Sequence, residues 1–448
     1  MKKSIRHQAV DILNTVSRTQ AFAADLLDAC LDRQGLSETA DGRLLTHLVY
    51  GVLRMQAHLD WILAGLYHGN YSKTHVRVKN ILRTGLYQLK FSDRLPAFAV
   101  VDEAVKTAKK IAPAAAGLTN ALLRAYLRNP EKISFPSLTE NLPGHIAACH
   151  SHPLWLVKHW LDNYGAEETI ALCRHNNESP PPTFRVNTLK ISRPALMEKI
   201  KAAGFHCRPT DFSPDGITAN DWPLPVRKTE FFKEGLLRIQ DEASQLVSYL
   251  AFPAADSSVL DVCAGSGGKT THLACLMNGR GRITALDRDQ HKLVQLEKEA
   301  ARLGITTIDT AAADLNNPLP GELHEKFDYV FVDAPCSGAG TLARHPEIKW
   351  RLTQETLPTL AAGQKNILHH AATGVKKGGL LVYCTCSMLL QENDEVVHNF
   401  LSSFPHFSVW RPETVVLDSF LDQQGFFRTY PHRHGMDGFF GAVLRRLI

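Results

Sequence analysis

The feature that most constrains the fold is a glycine-rich stretch near the middle of the chain, VLDVCAGSGGKTT at residues 259–271. An apolar run of strand character ends at Cys263, and helical spacing of apolar residues begins at Thr271. Glycine allows a tight turn and a close approach of the backbone to a ligand. Because backbone N–H groups at the start of a helix face such a ligand, the strand, turn and helix together predict a nucleotide-binding corner.

Two nucleotide motifs fit this corner only in part. The dinucleotide pattern G-x-G-x-x-G fits at Gly265 and Gly267 but has Thr270 in place of its third glycine. The P-loop pattern G-x-x-x-x-G-K-[ST] fits at residues 268–270 but has Cys263 in place of its first glycine. A P-loop nucleotide hydrolase is therefore an open alternative, which Cys263 disfavours.

S-adenosylmethionine is the third candidate ligand, since it needs a close backbone approach at the corner and a carboxylate on the next strand for its ribose hydroxyls. That strand reads RITALD and ends at Asp287, 19 residues after Gly268 and near the roughly 20 expected for a ribose-binding acid. The sequence therefore predicts S-adenosylmethionine at this corner. An ordinary loop between strand and helix, without a ligand, is the alternative.

Length, charge and cysteine content indicate the class of protein. With 448 residues, 44% of them hydrophobic and 21% charged, the chain should form two or three soluble domains. Residues 1–130 carry a net charge of +8 and the remainder −3, so we expect the basic part to hold a polyanion, with a solvated basic surface as the alternative. No apolar run has the length of a membrane span, the start of the chain lacks the apolar core of a signal peptide, and nine cysteines form no short spaced framework. We therefore expect a cytoplasmic protein with reduced thiols.

Changes of periodicity along the chain predict several domains. Residues 1–130 show helical apolar spacing and predict an all-α helical bundle. The proline-bearing residues 131–150 predict a linker, and residues 151–239 predict a small α+β subdomain. In residues 240–448, helices alternate with apolar strands, which predicts a mostly parallel, doubly wound α/β sheet of Rossmann type. Helices are expected at 5–16, 44–66, 76–89, 97–111, 118–127 and 290–303, parallel strands at 258–263, 282–287, 305–309, 328–333 and 379–384, and an antiparallel edge strand at 438–445.

Two further stretches place a cysteine just beyond an apolar strand. They are YVFVDAPCSG at residues 329–338, which contains Cys336, and LVYCTCS at residues 381–387, which contains Cys386. Because open α/β sheets bind ligands at the carboxyl ends of their strands, we expect both thiols on the ligand side of the sheet. A buried structural cysteine is the alternative for either thiol alone. No metal is expected, because Cys384-x-Cys386 lacks the spacing of a zinc site and no paired histidine motif accompanies it.

These motifs resemble those of the RNA cytosine-C5 methyltransferases, a Rossmann-type family that depends on S-adenosylmethionine. The family's glycine corner ending in Gly-Gly-Lys, its Asp-Ala-Pro-Cys-Ser loop and its Thr-Cys-Ser loop occur here in that order. FRVN at residues 184–187 is similar to the family's RNA-contacting subdomain, and QDEAS at 240–244 and DGFF at 437–440 also match. The helical residues 1–130 resemble the RNA-binding fold of the antitermination factor NusB. The combination is similar to the small-subunit ribosomal RNA methyltransferase B group, whose substrate is one cytosine of bacterial 16S ribosomal RNA.

The resemblance implies methylation of C5 of a specific cytosine in 16S ribosomal RNA, with S-adenosylmethionine as cofactor and a covalent intermediate between a cysteine and C6. Cys386 would be the nucleophile, Cys336 would help to release the product, and Asp333 would hydrogen-bond the cytosine edge. Two departures from the family are Ser266, which stands where the family has proline, and Cys384, an additional thiol without an assigned role. The resemblance places the cofactor on Cys263, Ala264, Gly265, Ser266, Gly267, Gly268, Lys269, Asp287, Asp314 and Asp333.

Further expectations concern the RNA. The stretch RHPEIKWR at residues 344–351 mixes cations with an aromatic residue, as contacts to single-stranded RNA do, with an ordinary exposed loop as the alternative. The target base must leave its stack, which favours a cytosine in a loop or junction. A non-catalytic RNA-binding protein with a decayed methyltransferase domain is a third functional hypothesis, and the presence of both Cys336 and Cys386 argues against it. The sequence does not indicate protein partners.

Overall fold

The computed structural model describes residues 3–19, 21–92, 95–219, 222 and 225–447. The chain divides into two compact units. Unit 1 comprises Met1–Ser179 and Leu342–Arg351, and unit 2 comprises Pro180–Thr341 and Leu352–Ile448. The border after residue 179 differs from the predicted borders at residues 130 and 150, because helices beyond residue 130 pack within unit 1.

Unit 1 is helical, as predicted for the N-terminal part of the chain. Its helices up to residue 179 are α1 (Ile5–Val16), α2 (Ala23–Gln34), α3 (Ala40–Arg54), α4 (Gln56–Leu66), α5 (Val76–Phe91), α6 (Ala97–Ile111), α7 (Ala116–Arg128), α8 (Leu142–Cys149) and α9 (Leu154–His175). Their apolar faces form a core in which Leu82 and Leu86 of α5 are fully buried. The single helix predicted over residues 44–66 is divided, because Met55 leaves the helical conformation (φ −100°, ψ 15°) between α3 and α4.

Part of the predicted linker is a helix. α8 begins after Asn141, whose side chain accepts a hydrogen bond from the N–H of Gly144. Pro143 stands in the first turn of α8, where a proline removes no helical hydrogen bond. The prediction of a linker over residues 131–150 is therefore wrong for residues 142–149, since the proline that suggested a linker belongs to a helix start. The following helix α9 is interrupted at Gly165 (φ 77°).

Unit 2 contains a small and a large sheet. The short helix α15 (Ile348–Arg351) belongs to unit 1. The elements of unit 2 in chain order are β1 (Thr183–Val186), α10 (Arg193–Ala202), β2 (Arg208–Pro209), β3 (Gly216–Thr218), α11 (Glu230–Lys233), β4 (Leu237–Ile239), α12 (Glu242–Ser248), β5 (Ser258–Asp261), α13 (Gly268–Leu276), β6 (Arg282–Asp287), α14 (Gln290–Leu303), β7 (Ile308–Ala312), β8 (Phe327–Asp333), α16 (Leu357–Ala372), β9 (Val375–Thr385), α17 (Asp394–Ser403), β10 (Phe407–Val409), β11 (Phe427–Arg428), α18 (Pro431–His434) and β12 (Phe440–Arg446). The small sheet has the strand order β2-β3-β1-β4 with antiparallel pairs, and α10 packs on it through Leu196 and Ile200. These elements confirm the predicted small α+β subdomain.

The large sheet confirms the predicted doubly wound α/β architecture. Its strand order is β10-β12-β9-β8-β5-β6-β7, with β11 paired to β12, and the strands from β9 to β7 run parallel. Successive residues of β5 face two different cores, Val259 on one face and Leu260 on the other, so both faces are covered. The last strand β12 is antiparallel as predicted, but its predicted edge position is wrong because β10 pairs along its outer side. The third parallel strand lies at Ile308–Ala312 instead of residues 305–309.

The strand order brings the candidate residues to one edge of the sheet. The chain runs outward from β5 to β6 and β7 and then returns to β8 on the other side of β5. The carboxyl ends of β5 and β8 therefore form the topological switch point, where open α/β sheets bind ligands. Asp287 ends β6, Asp333 ends β8, and Cys386 follows β9 directly.

Candidate active site

The glycine-rich turn between β5 and α13 has the backbone conformation that only glycine adopts easily. Gly265 (φ 55°) and Gly267 (φ 82°) both lie in the left-handed region. A Cβ atom at residue 267 would lie 2.7 Å from the Leu296 side chain, so a larger residue would push α14 away. The N–H of Gly267 donates to the carbonyl of Ala264 at 2.9 Å, which closes the turn directly before α13.

Asp287 connects this turn to the neighbouring strand. One carboxylate oxygen accepts a hydrogen bond from the N–H of Gly265 at 2.9 Å, and the other accepts from the N–H of Asp289 at 2.9 Å. Each oxygen retains a second lone pair for a ligand hydroxyl. The side chain is thus fixed at the point where the sequence predicts a ribose-binding acid.

A cavity of about 500 Å³ opens at the carboxyl edge of the parallel strands. Most of its polar lining comes from the loops that follow β5, β6, β7, β8 and β9. The predicted residues that line it are Cys263, Gly265, Asp287, Asp314, Asp333, Cys336 and Cys386. The remaining predicted cofactor residues form the turn behind it and are Ala264, Ser266, Gly267, Gly268 and Lys269.

Helix α16 forms one wall of the cavity, which the sequence did not predict. Leu360, Gly363, Gln364 and Ile367 line the cavity from one face of this helix. Their spacing is also that of a helix face packed into a core. The only signal in the sequence was a small and a polar residue, Gly363 and Gln364, on an otherwise apolar face. Asp314 lines the cavity from the loop after β7, and hydrogen bonds from Asn316 lower the pKa of its exposed carboxyl.

The two predicted catalytic thiols touch each other. The Sγ atoms of Cys336 and Cys386 are 3.3 Å apart, although the two residues follow different strands, and both side chains are half-buried. The hydrogen bond with Cys386 and burial raise the pKa of the Cys336 thiol well above its usual value. Cys384, by contrast, is fully buried and does not line the cavity, and its thiol lies 3.6 Å from both the Val332 carbonyl and the Asp333 carboxylate.

Asp333 forms an ion pair with the buried ammonium of Lys269. The Lys269 ammonium donates to its carboxylate at 2.6 Å and lies 5.0 Å from the centre of the Phe439 ring. Burial alone would lower the pKa of Lys269, but the charge of Asp333 raises it above its usual value. Thr270 is fully buried and donates to Asp261 at 2.7 Å. Lys269 and Thr270 are therefore engaged inside the fold, which contradicts the P-loop alternative.

Comparison with known proteins decides the family. Models of the NusB family, of the ferredoxin-like domain of RsmF/B-like methyltransferases and of the 16S rRNA methyltransferase RsmB/F match residues 3–128, 152–226 and 248–445. A "probable ribosomal RNA small subunit methyltransferase B" of Bacillus subtilis is 36% identical over 453 residues, which cover 99% of each chain. The chain belongs to the ribosomal RNA small subunit methyltransferase B family.

Solved structures agree with this assignment. A methyltransferase homologue from Pyrococcus horikoshii is 29% identical and superposes with a TM-score of 0.58 over 67% of this chain and 97% of its own. NSun6 from the same organism, solved with SFG, shares the fold at 21% identity, with a TM-score of 0.59 over 66% of this chain and 98% of its own. This family member thus has the fold of S-adenosylmethionine-dependent methyltransferases.

The expected RNA contact at residues 344–351 of this methyltransferase is wrong for Lys349 and Trp350. This stretch belongs to unit 1, and Lys349 is fully buried there, with its ammonium on the carbonyls of Arg54 and Ser151. The Trp350 indole donates to the carbonyl of Leu53. Lys349 and Trp350 thus attach the segment to unit 1, and the alternative of an exposed loop is wrong for residues 348–351, which form α15.

Arg185 and Asn187, in the FRVN stretch, are also buried. The Arg185 guanidinium donates to the carbonyl of Gly268 at 2.8 Å and to the hydroxyl of Thr271 at 3.0 Å. The Asn187 amide donates to backbone carbonyls, including that of Leu303. Both side chains therefore support the glycine turn and its neighbours from inside unit 2.

Two negative findings concern the described residues. Within the ranges that the structure describes, His, Cys, Asp and Glu side chains form no group of three that could hold a metal ion. Over the same ranges, no helix is long and apolar enough to cross a membrane.

Proposed function

We propose that this methyltransferase transfers the methyl group of S-adenosylmethionine to C5 of a specific cytosine in 16S ribosomal RNA. The observation that carries the proposal is the 3.3 Å contact between Cys336 and Cys386 on the wall of a cavity that also contains Asp287 and Asp333. Two thiols and two carboxylates therefore face one space. Membership of the methyltransferase B family supports ribosomal RNA as the substrate.

The cavity fits the proposed cofactor. Its volume of about 500 Å³ lies within the range of about 300–1,000 Å³ that is usual for small-molecule sites. The cofactor supplies an activated methyl group. Asp287 and Asp314 would accept hydrogen bonds from it, and Asp333 would face it from the end of β8. The other cofactor residues proposed from the sequence would shape the turn, and they are Cys263, Ala264, Gly265, Ser266, Gly267, Gly268 and Lys269.

The cysteines explain how an unreactive carbon is methylated. C5 of cytosine is a poor nucleophile until the Cys386 thiolate adds to C6, which would make C5 enamine-like. C5 could then take the methyl group, and the electron pair of the broken sulfur–methyl bond would stay on the cofactor's sulfur. A base then removes the C5 proton, and the electrons of the broken C6–S bond return to the Cys386 sulfur. Cysteine suits this step because a few per cent is thiolate near neutral pH and the thiolate is strongly nucleophilic. Asp333 would fix the ring by accepting from its polar edge.

The different environments of the thiols support different roles. The hydrogen bond with Cys386 and burial raise the pKa of the Cys336 thiol well above its usual value, which favours the protonated thiol at Cys336. A protonated Cys336 can donate to the Cys386 sulfur at 3.3 Å. This favours Cys386 as the nucleophile and Cys336 as the group that assists release of the methylated base.

The basic helical residues support the RNA part of the proposal. Residues 1–130 carry a net charge of +8 and match the NusB family. We propose that they hold RNA while residues 240–448 methylate it, with residues 151–239 as a further RNA-contacting part. Extrusion of the target base costs a few kcal/mol and is least costly for an unpaired base, so a loop or junction cytosine is expected. A ribosomal RNA substrate would also place the enzyme in the cytoplasm.

Cysteine variants test the proposed mechanism. Cys386→Ala should form no covalent bond to RNA and transfer no methyl group. Cys336→Ala should attack and methylate but then stall, so a protein–RNA adduct that survives denaturation should accumulate only when cofactor is present. Denaturing gels with labelled, unmodified ribosomal RNA measure the adduct, and mapping of the methylated base identifies the cytosine.

Cys149→Ala is the matched control, because this thiol is half-buried like that of Cys386 but belongs to unit 1 and does not line the cavity. It should turn over without an adduct. An adduct in Cys386→Ala but none in Cys336→Ala would reverse the two roles. Full turnover in both single variants would exclude both thiols as the nucleophile.

A further inference from the structure

A buried carboxylate lies directly behind the two thiols. Glu392 is not exposed to solvent, and it follows β9 in the stretch before α17. One of its oxygens accepts from the N–H of Ser337 at 2.8 Å and from the amide of Gln364 at 2.9 Å. The other accepts from the hydroxyls of Ser337 and Ser387, each at 2.5 Å. These four donors together fill the acceptor positions of the Glu392 carboxylate, which has no proton to donate.

The two serines connect this carboxylate to both cysteine loops. Ser337 follows Cys336 on the loop after β8, and Ser387 follows Cys386 on the loop after β9. Both hydroxyls lie within hydrogen-bond distance of the same Glu392 oxygen, and their own oxygens are 3.1 Å apart. A single side chain therefore bridges two loops that are 50 residues apart in the chain, directly beside the sulfur contact.

The carboxylate is itself held in place. The backbone carbonyl of Glu392 accepts a hydrogen bond from the Tyr383 hydroxyl at 2.6 Å. The next residue, Asn393, accepts from the hydroxyl of Thr385 at 2.6 Å and donates to the carbonyl of Ser387 at 3.0 Å. These hydrogen bonds fix the segment that carries Glu392 to the end of β9.

We propose that Glu392 is a positioning residue of the reaction, which holds the loops of Cys336 and Cys386 so that both sulfurs face the same cytosine ring. This inference rests on the proposed roles of the two thiols. Glu392 does not line the cavity and would act through the two serines. A carboxylate suits this place because both of its oxygens accept, whereas an amide would replace one acceptor by a donor and the group facing it would lose its acceptor.

Glu392→Gln tests the inference in the full-length enzyme. Because a displacement of about 1 Å in an active site can cost roughly 100-fold in rate, we expect kcat for methyl transfer to fall by about that factor. The KM for RNA and the affinity for S-adenosylmethionine should stay unchanged. Glu392→Asp retains the carboxylate and should recover part of the loss. Glu395→Gln, the same change at an exposed position on α17, is the matched control and should behave as wild type.

The pH profile separates positioning from a general loss of structure. The hydrogen bond with Cys386 and burial are the main causes that raise the pKa of Cys336, and the charge of Glu392 adds to them. Removal of that charge should therefore move the alkaline limb of the rate profile to lower pH. A merely structural role would lower the rate at every pH by the same factor.

Adduct formation in the Cys336→Ala background distinguishes this inference from the proposed function. There, the rate of adduct formation reports attack by Cys386 alone. If Cys336→Ala with the native Glu392 forms no adduct, the proposed roles of the two thiols are wrong. If it forms an adduct at the same rate with Glu392→Gln added, Glu392 does not position Cys386 and the inference is overturned.

A second variant keeps the test decisive if Glu392→Gln lowers the thermal transition. Ser387→Ala removes one of the four donors and leaves the carboxylate with three. Slower adduct formation with an unchanged thermal transition would support the bridge. An unchanged rate would overturn it.

Discussion

Two lysines, Lys269 in unit 2 and Lys349 in unit 1, are buried to a similar degree but differ in what surrounds the ammonium group. Lys269 is 7% exposed and Lys349 is 0% exposed. Lys269 donates to the carboxylate of Asp333. Lys349 donates to three uncharged oxygens, which belong to the backbone of Arg54, the backbone of Ser151 and the side chain of Asn177.

The partner decides whether a buried lysine stays a cation. Burial lowers the pKa of Lys349 to about 7, because no carboxylate offsets the loss of hydration. In Lys269 the charge of Asp333 outweighs the same burial and raises the pKa. Unit 2 thus keeps a permanent ion pair whose carboxylate faces the cavity. Unit 1 uses a lysine to attach residues 342–351 to its helices. The sequence shows two lysines near aromatic and glycine residues and does not distinguish these cases.

The largest effect is expected when the cation of unit 2 is removed. Lys269→Met keeps most of the apolar length but leaves Asp333 without its partner, so the carboxylate turns toward water. We expect methyl transfer to fall by about 100- to 1,000-fold, as when one positioned polar group is lost from an active site. Single-turnover transfer to unmodified ribosomal RNA measures the loss. Lys298→Met, on the exposed face of α14, is the control; a wild-type rate in Lys269→Met would show that Asp333 works without the cation.

A smaller and different effect is expected in unit 1. Lys349→Met leaves three oxygens without their donor, and a buried unsatisfied group costs about 1–3 kcal/mol. Because the backbone can relax in part, we expect the free energy of unfolding to fall by about 2–3 kcal/mol. Denaturant titration followed by tryptophan fluorescence reports this change, since most tryptophans of the chain belong to unit 1. Cofactor affinity should stay unchanged. A variant with normal stability and weak cofactor binding would contradict the comparison.

These two lysines also show how far the sequence determines the site. Local patterns and the rule for strand ends predict the glycine turn, the place of Asp287 at the end of the next strand, and the position of Cys336 and Cys386 on the ligand side of the sheet. Each of these residues lies at the carboxyl end of a parallel strand, and a strand order of this class brings such ends together.

Long-range attachment could not be predicted in this way. Nothing local to Lys349 shows that its acceptors lie 295, 198 and 172 residues away. Glu392 gave no signal either, because its four donors come from two loops and α16. The short strand β10 was missed because its residues Phe407–Val409 carry no clear alternation. Such features depend on which segments meet, and periodicity reports only the face that a segment buries.

The pH dependence of stability sharpens the comparison further. The pKa of Lys349 is about 7 in the folded protein, below the 10.5 of the unfolded chain. Between these values the unfolded state binds more protons, so the contribution of Lys349 to stability rises with pH, by at most about 1.4 kcal/mol per pH unit. Below pH 7 both states are protonated and this contribution is lost. We expect the difference in unfolding free energy between wild type and Lys349→Met to grow from pH 7 to pH 9; a constant difference would mean that Lys349 keeps its proton.

The smallest net effect is expected when unit 1 receives the partner that unit 2 already has. Asn177→Asp places a carboxylate where the amide oxygen lies 2.9 Å from the Lys349 ammonium. The new ion pair stabilises the fold, but the hydrogen bond from the Asn177 amide to the His150 carbonyl is lost, and an oxygen then faces that carbonyl. These effects oppose each other, so the unfolding free energy at pH 7 should change by no more than about 1 kcal/mol.

The informative quantity in this variant is therefore the pH dependence. With a carboxylate beside it, Lys349 should stay protonated in the folded state, and the rise in stability between pH 7 and pH 9 should disappear. A new loss should appear at acid pH, because the paired carboxyl would have a folded pKa below its unfolded value and would lose its stabilising contribution as it is protonated. Denaturant titrations of wild type and Asn177→Asp across this range compare the two directly. Persistence of the alkaline rise would mean that burial, and not the missing carboxylate, separates Lys349 from Lys269.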